Sequence, residues 1–340
     1  MTAVSFVLWF LASFLYHGLG VTLGYHRLLT HKSLKVPTWL KYIIVSGGYF
    51  CFMGAPINWV GVHRLHHQKS DQDGDPHSPV HGFKHALYGW MFTMGERQSD
   101  EELQKQVPDL LQDKLFCLLG TDHNPSQAGL CFTLCIVARL ILLAVLGWVP
   151  FVANAIASFI VFWSPQLVNS FCHMQTHGYR LWKTRDESRN VWWVAVLSCG
   201  EGWHNTHHAV PRCARHGMLW WEVDITYITI CILEKLGLAT DVVRPQKMPT
   251  VQDIHRHGAV VPETLEEQHP PKPANTVPNN LWNAAEVTSV AKVAEHAQGG
   301  SCCGGHGNGN GNGNGAAGLS HASQASHAKS SVEIESITAK

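Results

Sequence analysis

Residues 2–31 read TAVSFVLWFLASFLYHGLGVTLGYHRLLTH, and this stretch decides the fold class. Residues 2–25 contain no acidic residue, lysine or arginine, and His17 is the one strongly polar side chain in a run rich in Phe, Leu and Val. A helix of about 20 apolar residues is long enough to cross the hydrocarbon core of a bilayer. The sequence therefore predicts a membrane-spanning helix over residues 2–25 that leads directly into a pair of histidines.

Two further membrane spans are predicted between residues 128 and 172, where Arg139 is the only charged residue. Gly147 and Pro150 interrupt this run, and both residue types favour turns or helix ends over a continuous helix. We therefore predict spans at about residues 128–148 and 150–171, joined by a tight turn. Three such spans predict an all-α integral membrane protein.

Two shorter apolar segments are predicted to lie at the membrane surface. Residues 39–60 contain Gly47, Gly48 and Pro56, and residues 219–236 hold an apolar run that is too short to span. Segments of this kind are typical of helices that lie in the plane of the interface.

The composition agrees with a membrane domain followed by a polar tail. Charged residues make up 15% of the chain, against roughly 25% in ordinary soluble proteins. Acidic and basic residues number 25 each, so no net charge favours nucleic acid as a partner. Residues 246–340 are rich in Pro, Gly, Asn and Ser and are predicted to be disordered. Residues 1–245 remain as the membrane domain.

Histidine clusters carry the chemistry that the sequence predicts. They are His26-Arg-Leu-Leu-Thr-His31, His63-Arg-Leu-His66-His67, His204-Asn-Thr-His207-His208 and, at the end of the last span, Asn169-Ser-Phe-Cys-His173. Positions i, i+3 and i+4 share one face of a helix, so adjacent histidines in such a cluster can reach two neighbouring metal ions. His26 and His31 lie about 140° apart on a regular helix. We therefore predict His26 in the last turn of the span and His31 just beyond it.

Ten converging side chains suit two metal ions with about five ligands each. Imidazole favours Fe, Zn, Cu or Ni. Zinc prefers four ligands, and the ten cysteines show no zinc-binding spacing. Iron explains the high ligand count better. His77, His81 and His85 are interpreted as ordinary loop histidines, and the tail histidines as solvated.

The histidine elements must meet on one side of the membrane. If residues 39–60 stay at the interface, the first two clusters share a side, and the two later spans return the chain to that side before His173. Basic residues from Arg27 to Lys41 follow the first span, and such a flank indicates the cytoplasmic side. We therefore predict a cytoplasmic helical cap that holds the histidine site.

The motifs are similar to those of the membrane fatty-acid desaturases of the stearoyl-CoA (Δ9) type, over about residues 6–245. The resemblance rests on Gly24-Tyr-His-Arg-Leu-Leu-Thr-His31, His63-Arg-Leu-His-His67, Asp75-Pro-His77, Asn169-x-x-x-His173 and Gly200-Glu-Gly-Trp-His-Asn-Thr-His-His208. In pattern the chain resembles the bacterial acyl-lipid and acyl-CoA Δ9 desaturases. Family members usually have four spans and three are visible here, so a truncated start and a three-span form both stay open.

The resemblance implies a di-iron site and a ligand set. One iron would be held by His26, His31, His63, His67 and His207. The other would be held by His66, His173, His204 and His208, with Asn169 bonding its water. The implied reaction uses O2 and two external electrons to place a cis double bond in a saturated acyl chain. Nine neutral ligands would leave the oxidant electron-poor, and Trp59 and Trp163 are candidates for the wall of the acyl tunnel.

The resemblance also bears on the carrier of the acyl chain and on the electron donor. Animal CoA-using relatives have cations where this chain has Gly61, Met94 and Gly95, although Arg97 is close by. CoA phosphates favour clustered cations, so the sequence favours an acyl-lipid over an acyl-CoA substrate. No His-Pro-Gly-Gly motif of a fused cytochrome b5 occurs. A separate donor of the ferredoxin or cytochrome b5 type is therefore expected.

Two other functions stay open at this point. A fatty-acyl hydroxylase or related oxidase would use the same irons and differ only after the first hydrogen is removed. A membrane metal-binding or transport protein would need polar residues along the spans, where His17, Arg139 and Asn154 are the main ones.

Overall fold

The computed structural model of the chain describes residues 3–97 and 99–245, with the backbone alone described at 94–97, and the predicted tail lies outside these residues. Within this part the fold is helical, and strands are absent apart from isolated bridges. The helices are α1 (Ala3–Leu19, continued by a π-helix, Gly20–Thr30), α2 (Thr38–Tyr49), α3 (Pro56–Lys69), α4 (Trp90–Arg97), α5 (Asp100–Lys105), α6 (Lys114–Leu119), α7 (Pro125–Leu146), α8 (Trp148–Phe171), α9 (Trp192–Leu197), α10 (His204–Ala209) and α11 (Ile225–Lys235).

Three of the described helices are long and apolar enough to cross a membrane: Ala3–Thr30, Pro125–Leu146 and Trp148–Phe171. The prediction of an all-helical fold with three spans is confirmed at this level. Gly147 alone separates the second span from the third. Its φ of 88° lies in the left-handed region that favours glycine, so the chain reverses there without a loop.

The segment over residues 39–60 differs from the single interfacial helix that the sequence predicts. Helix α2 ends at Tyr49, and α3 begins at Pro56, whose ring suits the first turn of a helix and cannot continue a preceding one. The second predicted segment, residues 219–236, contains a shorter helix, α11. This helix begins at Ile225 because Asp224 caps it by accepting a hydrogen bond from the Tyr227 amide. The interfacial position of both segments stays a prediction.

The helices pack so that small residues allow close approach near the site. The first span lies along α8, and α2 crosses the π-helical segment. A Cβ at Gly20 would lie only 2.1 Å from the Gly48 nitrogen, so this crossing requires glycine. Large apolar side chains such as Leu8, Leu140 and Phe159 remain exposed on the outer faces of the spans. Such faces suit lipid contact.

Polar side chains inside the spans bind other parts of the protein. Arg139 donates to the carbonyls of Cys135 and Phe50 at 2.9 and 3.0 Å. The Nδ1 atom of His17 lies 2.9 Å from the Gly47 carbonyl oxygen, and Asn154 Nδ2 lies 3.0 Å from His17 Nε2. These contacts fix helices against one another, which is the usual requirement for polar groups at membrane depth.

Candidate metal centre

The first span ends in a π-helix, which is wider than an α-helix. This geometry sets the directions of His26 and His31. In a π-helix the hydrogen bonds join residues five apart, and the His31 amide continues that pattern by donating to the His26 carbonyl at 3.1 Å. Residues five apart therefore lie on one face, and the ring centroids of His26 and His31 are 4.7 Å apart. Reasoning from a regular α-helix missed this feature.

Two α-helices present the remaining clusters, and His173 follows α8 directly. His63, His66 and His67 occupy the second half of α3, and α10 begins at His204. Adjacent histidines diverge as the helical spacing predicts, because His66 and His67 reach different groups of side chains. His207 and His208 on α10 do the same.

The predicted histidines fall into two compact groups whose candidate ligand atoms lie within 4.8 Å of one another. The first group is His26, His31, His63, His67 and His207, and the second group is His66, His173, His204 and His208. In the first, His207 Nε2 lies 2.8 Å from His67 Nε2 and 3.1 Å from His26 Nε2. In the second, His204 and His173 approach to 3.1 Å through the same atoms.

These separations fit nitrogens that share a metal ion. Two imidazole nitrogens about 2.1 Å from one ion and at right angles are about 3 Å apart. Each group therefore has the donor type, number and spacing of a coordination shell. The division also matches the two ligand sets that the family resemblance implies. Asn169 is buried on α8, one turn before His173.

Carboxylates approach the Nδ1 atoms of four of the histidines. The sequence analysis predicts no role for these carboxylates. Asp75, Asp71 and Asp186 approach the Nδ1 atoms of His66, His173 and His208 at 2.8 to 2.9 Å. Glu201 approaches His26 Nδ1 at 2.8 Å. An acceptor at Nδ1 holds the proton there and leaves Nε2 free for a metal. The nine candidate ligands are neutral side chains, as the resemblance implies, but carboxylates contact four of them on the side opposite Nε2.

Glu201 belongs to a buried network that includes a histidine outside every sequence cluster. Its Oε2 lies 3.0 Å from His216 Nδ1, and its Oε1 lies 3.0 Å from the Arg27 guanidinium, which also pairs with Asp224 at 2.9 Å. The His216 ring centroid is 4.6 Å from that of His207. No helical spacing links His216 to the clusters, so only the fold reveals it.

His77 also departs from its interpretation as an ordinary loop histidine. It is buried, and its ring centroid lies 4.3 Å from that of His66. Asp75 shares this corner of the site, with His77 Nδ1 3.9 Å from its Oδ1. Asp75 and His77 of the Asp-Pro-His motif therefore both contact His66 of the second group.

Burial sets the charge state of most of these histidines. It lowers the pKa of His31, His63, His67, His204 and His207 well below the usual value, and that of His208 to about 4. Burial also acts on His173, but the hydrogen bond to Asp71 and the charges of nearby aspartates raise its pKa overall. Near neutral pH the histidines with lowered pKa carry free lone pairs, as metal binding requires.

A cavity of about 260 Å³ leads to both groups. Its wall includes His63 of the first group and His204 of the second, with Val21, Val62 and Val168 among its apolar side chains. Trp59 lines it and stacks on His63 with ring centroids 5.0 Å apart. Of the two tryptophans predicted for the tunnel wall, Trp59 is therefore placed there. Trp163 is not among the lining residues and contacts Phe159 and Phe162.

Part of the cavity wall is polar, and cations are absent from its described lining residues. Asn58, Asp122, His123, Asn124 and Gln127 line it, and none of the described lining residues is Lys or Arg. Gly61 faces α5, where an added Cβ would lie 2.7 Å from Leu103 Cδ1. The side chains of Met94, Gly95 and Arg97 lie outside the described residues.

Fold and site together define an all-helical protein with three candidate membrane spans and a buried double cluster of histidines suited to metal ions. Residues 3–226 match the family model described as fatty acid desaturase. The chain is 42% identical over 226 residues to an sn-1 stearoyl-lipid 9-desaturase of Anabaena variabilis, covering 66% of this chain and 79% of that protein.

Two more relatives agree with this match. An sn-1 stearoyl-lipid 9-desaturase of Synechocystis is 42% identical over 233 residues, covering 67% of this chain and 68% of the relative. The Delta-9 acyl-lipid desaturase 1 of Arabidopsis thaliana is 40% identical over 230 residues, covering 68% and 72%. This chain belongs to the fatty acid desaturase family. It is an oxidoreductase of lipid metabolism that desaturates fatty-acyl chains.

Proposed function

We propose that this desaturase places a cis double bond at Δ9 of a saturated acyl chain carried on a membrane glycerolipid. The cavity carries the proposal, because it brings an apolar passage against His63 and His204, one histidine from each group. A linear acyl chain suits such a passage. Relatives that share 42% of aligned residues are named for position 9 of a lipid-linked stearoyl chain, which supports the position and the carrier.

Two iron ions are the proposed cofactor. The group of five imidazoles exceeds the four ligands that zinc prefers, and neither group contains a thiolate. Imidazole also suits iron. His26, His31, His63, His67 and His207 would hold one ion. His66, His173, His204 and His208 would hold the other, with Asn169 bonding a water. When bound, the irons supply the activation of O2 that removal of hydrogen from a methylene requires.

The residues around the cavity hold the acyl chain and exclude water. The overall reaction converts a saturated chain, O2, two electrons and two protons into the cis-alkene and two waters. Trp59 stacks on His63, so its indole fixes the wall beside the reacting carbons. Val62 and Val168 keep that region apolar. An unactivated methylene held in a dry passage has few competing reactions.

The polar side chains that line the cavity support a glycerolipid in preference to CoA. A CoA thioester brings several phosphate charges, which call for Arg or Lys within reach. Asn58, Asp122, His123, Asn124 and Gln127 offer amides, a histidine and one carboxylate, and the described lining residues include neither Lys nor Arg. Leu103 fills the space beside Gly61, so the packing of α3 on α5 excludes a long cation there. Neutral hydrogen-bonding groups suit the ester and glycerol oxygens of a lipid.

The histidine site is proposed to face the cytoplasm, with electrons arriving from a separate ferredoxin or cytochrome b5 type donor. Lys32, Lys35 and Lys41 follow the first span closely. An excess of lysine and arginine beside a span favours the cytoplasmic side.

Lipid analysis of a host that lacks Δ9 desaturation tests the proposal. Cells that express the chain should convert labelled saturated lipid into Δ9-cis-monoenes after acyl-CoA synthesis is blocked, with the label in intact glycerolipid. A His66→Ala variant should produce none. Hydroxy acids as the main product would contradict desaturation. Monoenes confined to the acyl-CoA pool would contradict the lipid carrier.

A further inference from the structure

His216 is a buried histidine that belongs to neither group of candidate ligands, yet it lies against the first group. Its ring centroid is 4.6 Å from that of His207 and 5.6 Å from that of His26. The side chain is fully buried, and its Nδ1 atom lies 3.0 Å from Glu201 Oε2. Burial of a polar ring costs free energy unless its polar contacts compensate, so the contact with Glu201 calls for an explanation.

The two carboxylate oxygens of Glu201 contact different partners. Oε1 accepts hydrogen bonds from Nε and Nη2 of Arg27 at 3.1 and 3.0 Å. Oε2 lies 2.8 Å from His26 Nδ1 and 3.0 Å from His216 Nδ1. Since an ionised carboxylate oxygen only accepts, both imidazoles turn a protonated Nδ1 towards it. His26 Nε2 is thereby left for the first group, where it lies 3.1 Å from His207 Nε2.

The backbone of His216 is fixed independently of its ring. The His216 amide donates to Asp224 Oδ2 at 2.8 Å, and the Gly217 amide donates to the same atom at 3.3 Å. Asp224 also pairs with Arg27 at 2.9 Å and caps α11. These contacts fix the point from which the ring reaches Glu201. The His216 Nδ1 atom therefore restrains the carboxylate at the oxygen other than the one that Arg27 contacts.

A third metal ion is the alternative use of these side chains. Candidate ligand atoms of His26, Glu201 and His216 lie within 4.8 Å of one another. Arg27 already places a positive charge beside this carboxylate, and it would repel a cation bound there. An ion would also require the Nδ1 lone pair of His26, whose Nε2 faces the first group. The geometry therefore favours a role for His216 as a partner of Glu201 over a third metal site.

We propose that His216 is a positioning residue for the first metal position and acts on His26 through Glu201. The inference rests on the proposed metal centre. With Oε2 held by His216, the carboxylate keeps the His26 ring in the tautomer and orientation that present Nε2 to the first group. Without His216, Oε2 loses one of its two nitrogen contacts, and Arg27 is left to set the orientation of the carboxylate. The second group keeps its own aspartates and is unaffected.

Metal binding tests this role without relying on turnover. The full chain in detergent is loaded with Fe2+ under anaerobic conditions, and competition with a chelator measures both affinities, the first position being the one that His207→Ala empties. His216→Leu and His216→Phe lack a donor, and each should weaken Fe2+ binding at the first position about 10-fold. His216→Asn keeps an N–H near the place of Nδ1 and should restore most of that affinity. His77→Leu is the matched control, because His77 is buried against His66 but its Nδ1 lies 3.9 Å from Asp75, so the first position should be unchanged.

A double-variant cycle separates positioning from a general structural role. Glu201→Gln should also weaken the first position, because the amide holds the His26 ring less firmly than a carboxylate. If His216 acts through Glu201, the combination of Glu201→Gln with His216→Leu should bind Fe2+ no more weakly than Glu201→Gln alone. Additive losses, equal losses at both positions, or unchanged affinity in both donor-free variants would contradict the inference. A third Fe2+ per chain that His216→Leu removes would contradict it as well. An unmodified chain that binds no ion at the first group would contradict the proposed metal centre and this inference with it.

Discussion

The two histidine groups use the same kind of ligand but differ in the number of carboxylates that contact their histidines. In the second group three of four histidines have their own aspartate: Asp75, Asp71 and Asp186. In the first group His26 alone has a carboxylate behind it, and Glu201 is shared with Arg27 and His216. Behind the first group, Glu201 and Asp224 share the single cation of Arg27, which leaves about one negative charge, whereas three anions surround the second group.

The difference teaches that the two metal positions are electrostatically unequal. Aspartates behind the ligands raise the basicity of their imidazoles and stabilise positive charge at the second position. At the first position Arg27, which also pairs with Asp224, offsets part of the charge of Glu201. We expect the second position to bind a divalent ion more tightly and the first to hold the ion that is more easily lost.

Removal of one ligand from each group should have the largest effect. His207→Ala should empty the first position and His66→Ala the second, and both should reduce desaturation below detection because each change removes one ligand atom from its group, and the adjacent His216 and His77 belong to neither group. Iron per chain after desalting and lipid analysis measure the two outcomes. His321→Ala, in the tail, is the control and should behave as the unmodified enzyme. Full activity in either ligand variant would remove that residue from the site.

Loss of one supporting aspartate should have a smaller, selective effect. Asp186→Asn should weaken iron binding at the second position about 10- to 100-fold, with the first position unchanged. Competition with a chelator measures both affinities. Asp73→Asn is the matched control, because that exposed aspartate has no histidine contact among the described ion pairs. Equal weakening at both positions would contradict the electrostatic difference between the groups.

Acid stability of the metal-free protein should distinguish His63 of the first group from His173 of the second, because folding shifts their pKa values in opposite directions. The pKa of His63 is lowered on folding, so the unfolded chain binds the proton and stability falls as pH drops below about 6.5. The pKa of His173 is raised, so it adds stability that is present at acid pH and lost as pH rises through its folded value. His63→Gln should therefore flatten the acid loss, by up to about 1.4 kcal/mol per pH unit.

His173→Gln should act at higher pH, because the contribution of His173 is fully present below about 6.5 and falls as pH rises above that value. The variant should lack this decrease and keep the loss below about 6.5. Unfolding of the two variants in detergent between pH 5 and pH 8 (roughly the range in which an ordinary histidine titrates) gives the comparison. A shift in the same direction for both would mean that the environments of His63 and His173 do not differ as described.

Deletion of residues 260–340 should have the smallest effect. Every proposed ligand and every cavity residue precedes this segment, so desaturation per folded protein should change less than about twofold, as expected for a segment without apolar periodicity. Lipid profiles of cells with matched expression measure it. A complete loss in a stably expressed deletion would show that the tail contributes to docking or to the site.

Much of the site could be predicted because it depends on local spacing. His63, His66 and His67 diverge on one helix as the three- and four-residue spacing requires, and Gly147 ends a span where the sequence predicts a turn. The π-helix before His31 could not be predicted in this way, and neither could the close packing of its first residue, Gly20, on Gly48 of α2. Local sequence alone carries no record of that contact.

The residues that contact the ligands could not be predicted either, because their positions also depend on tertiary packing. Asp186 and His216 follow no spacing rule relative to the ligands, and each reaches the site through a loop whose path is set by tertiary packing. Asp75 and Glu201 were visible in quoted motifs, but the sequence gives no sign that they point at a histidine nitrogen. The carboxylate charge around the metal positions therefore follows from the tertiary structure and could not be predicted from the motifs.

Mössbauer spectroscopy of the chain reconstituted with isotopically enriched iron tests the central claim most directly. We predict two ferrous signals of equal area in the unmodified protein, one for each histidine group, with different quadrupole splittings because their surroundings differ in charge. Asp186→Asn at limiting iron should lose one signal and keep the other. A single signal, or equal loss of both in Asp186→Asn, would contradict two unequal metal positions.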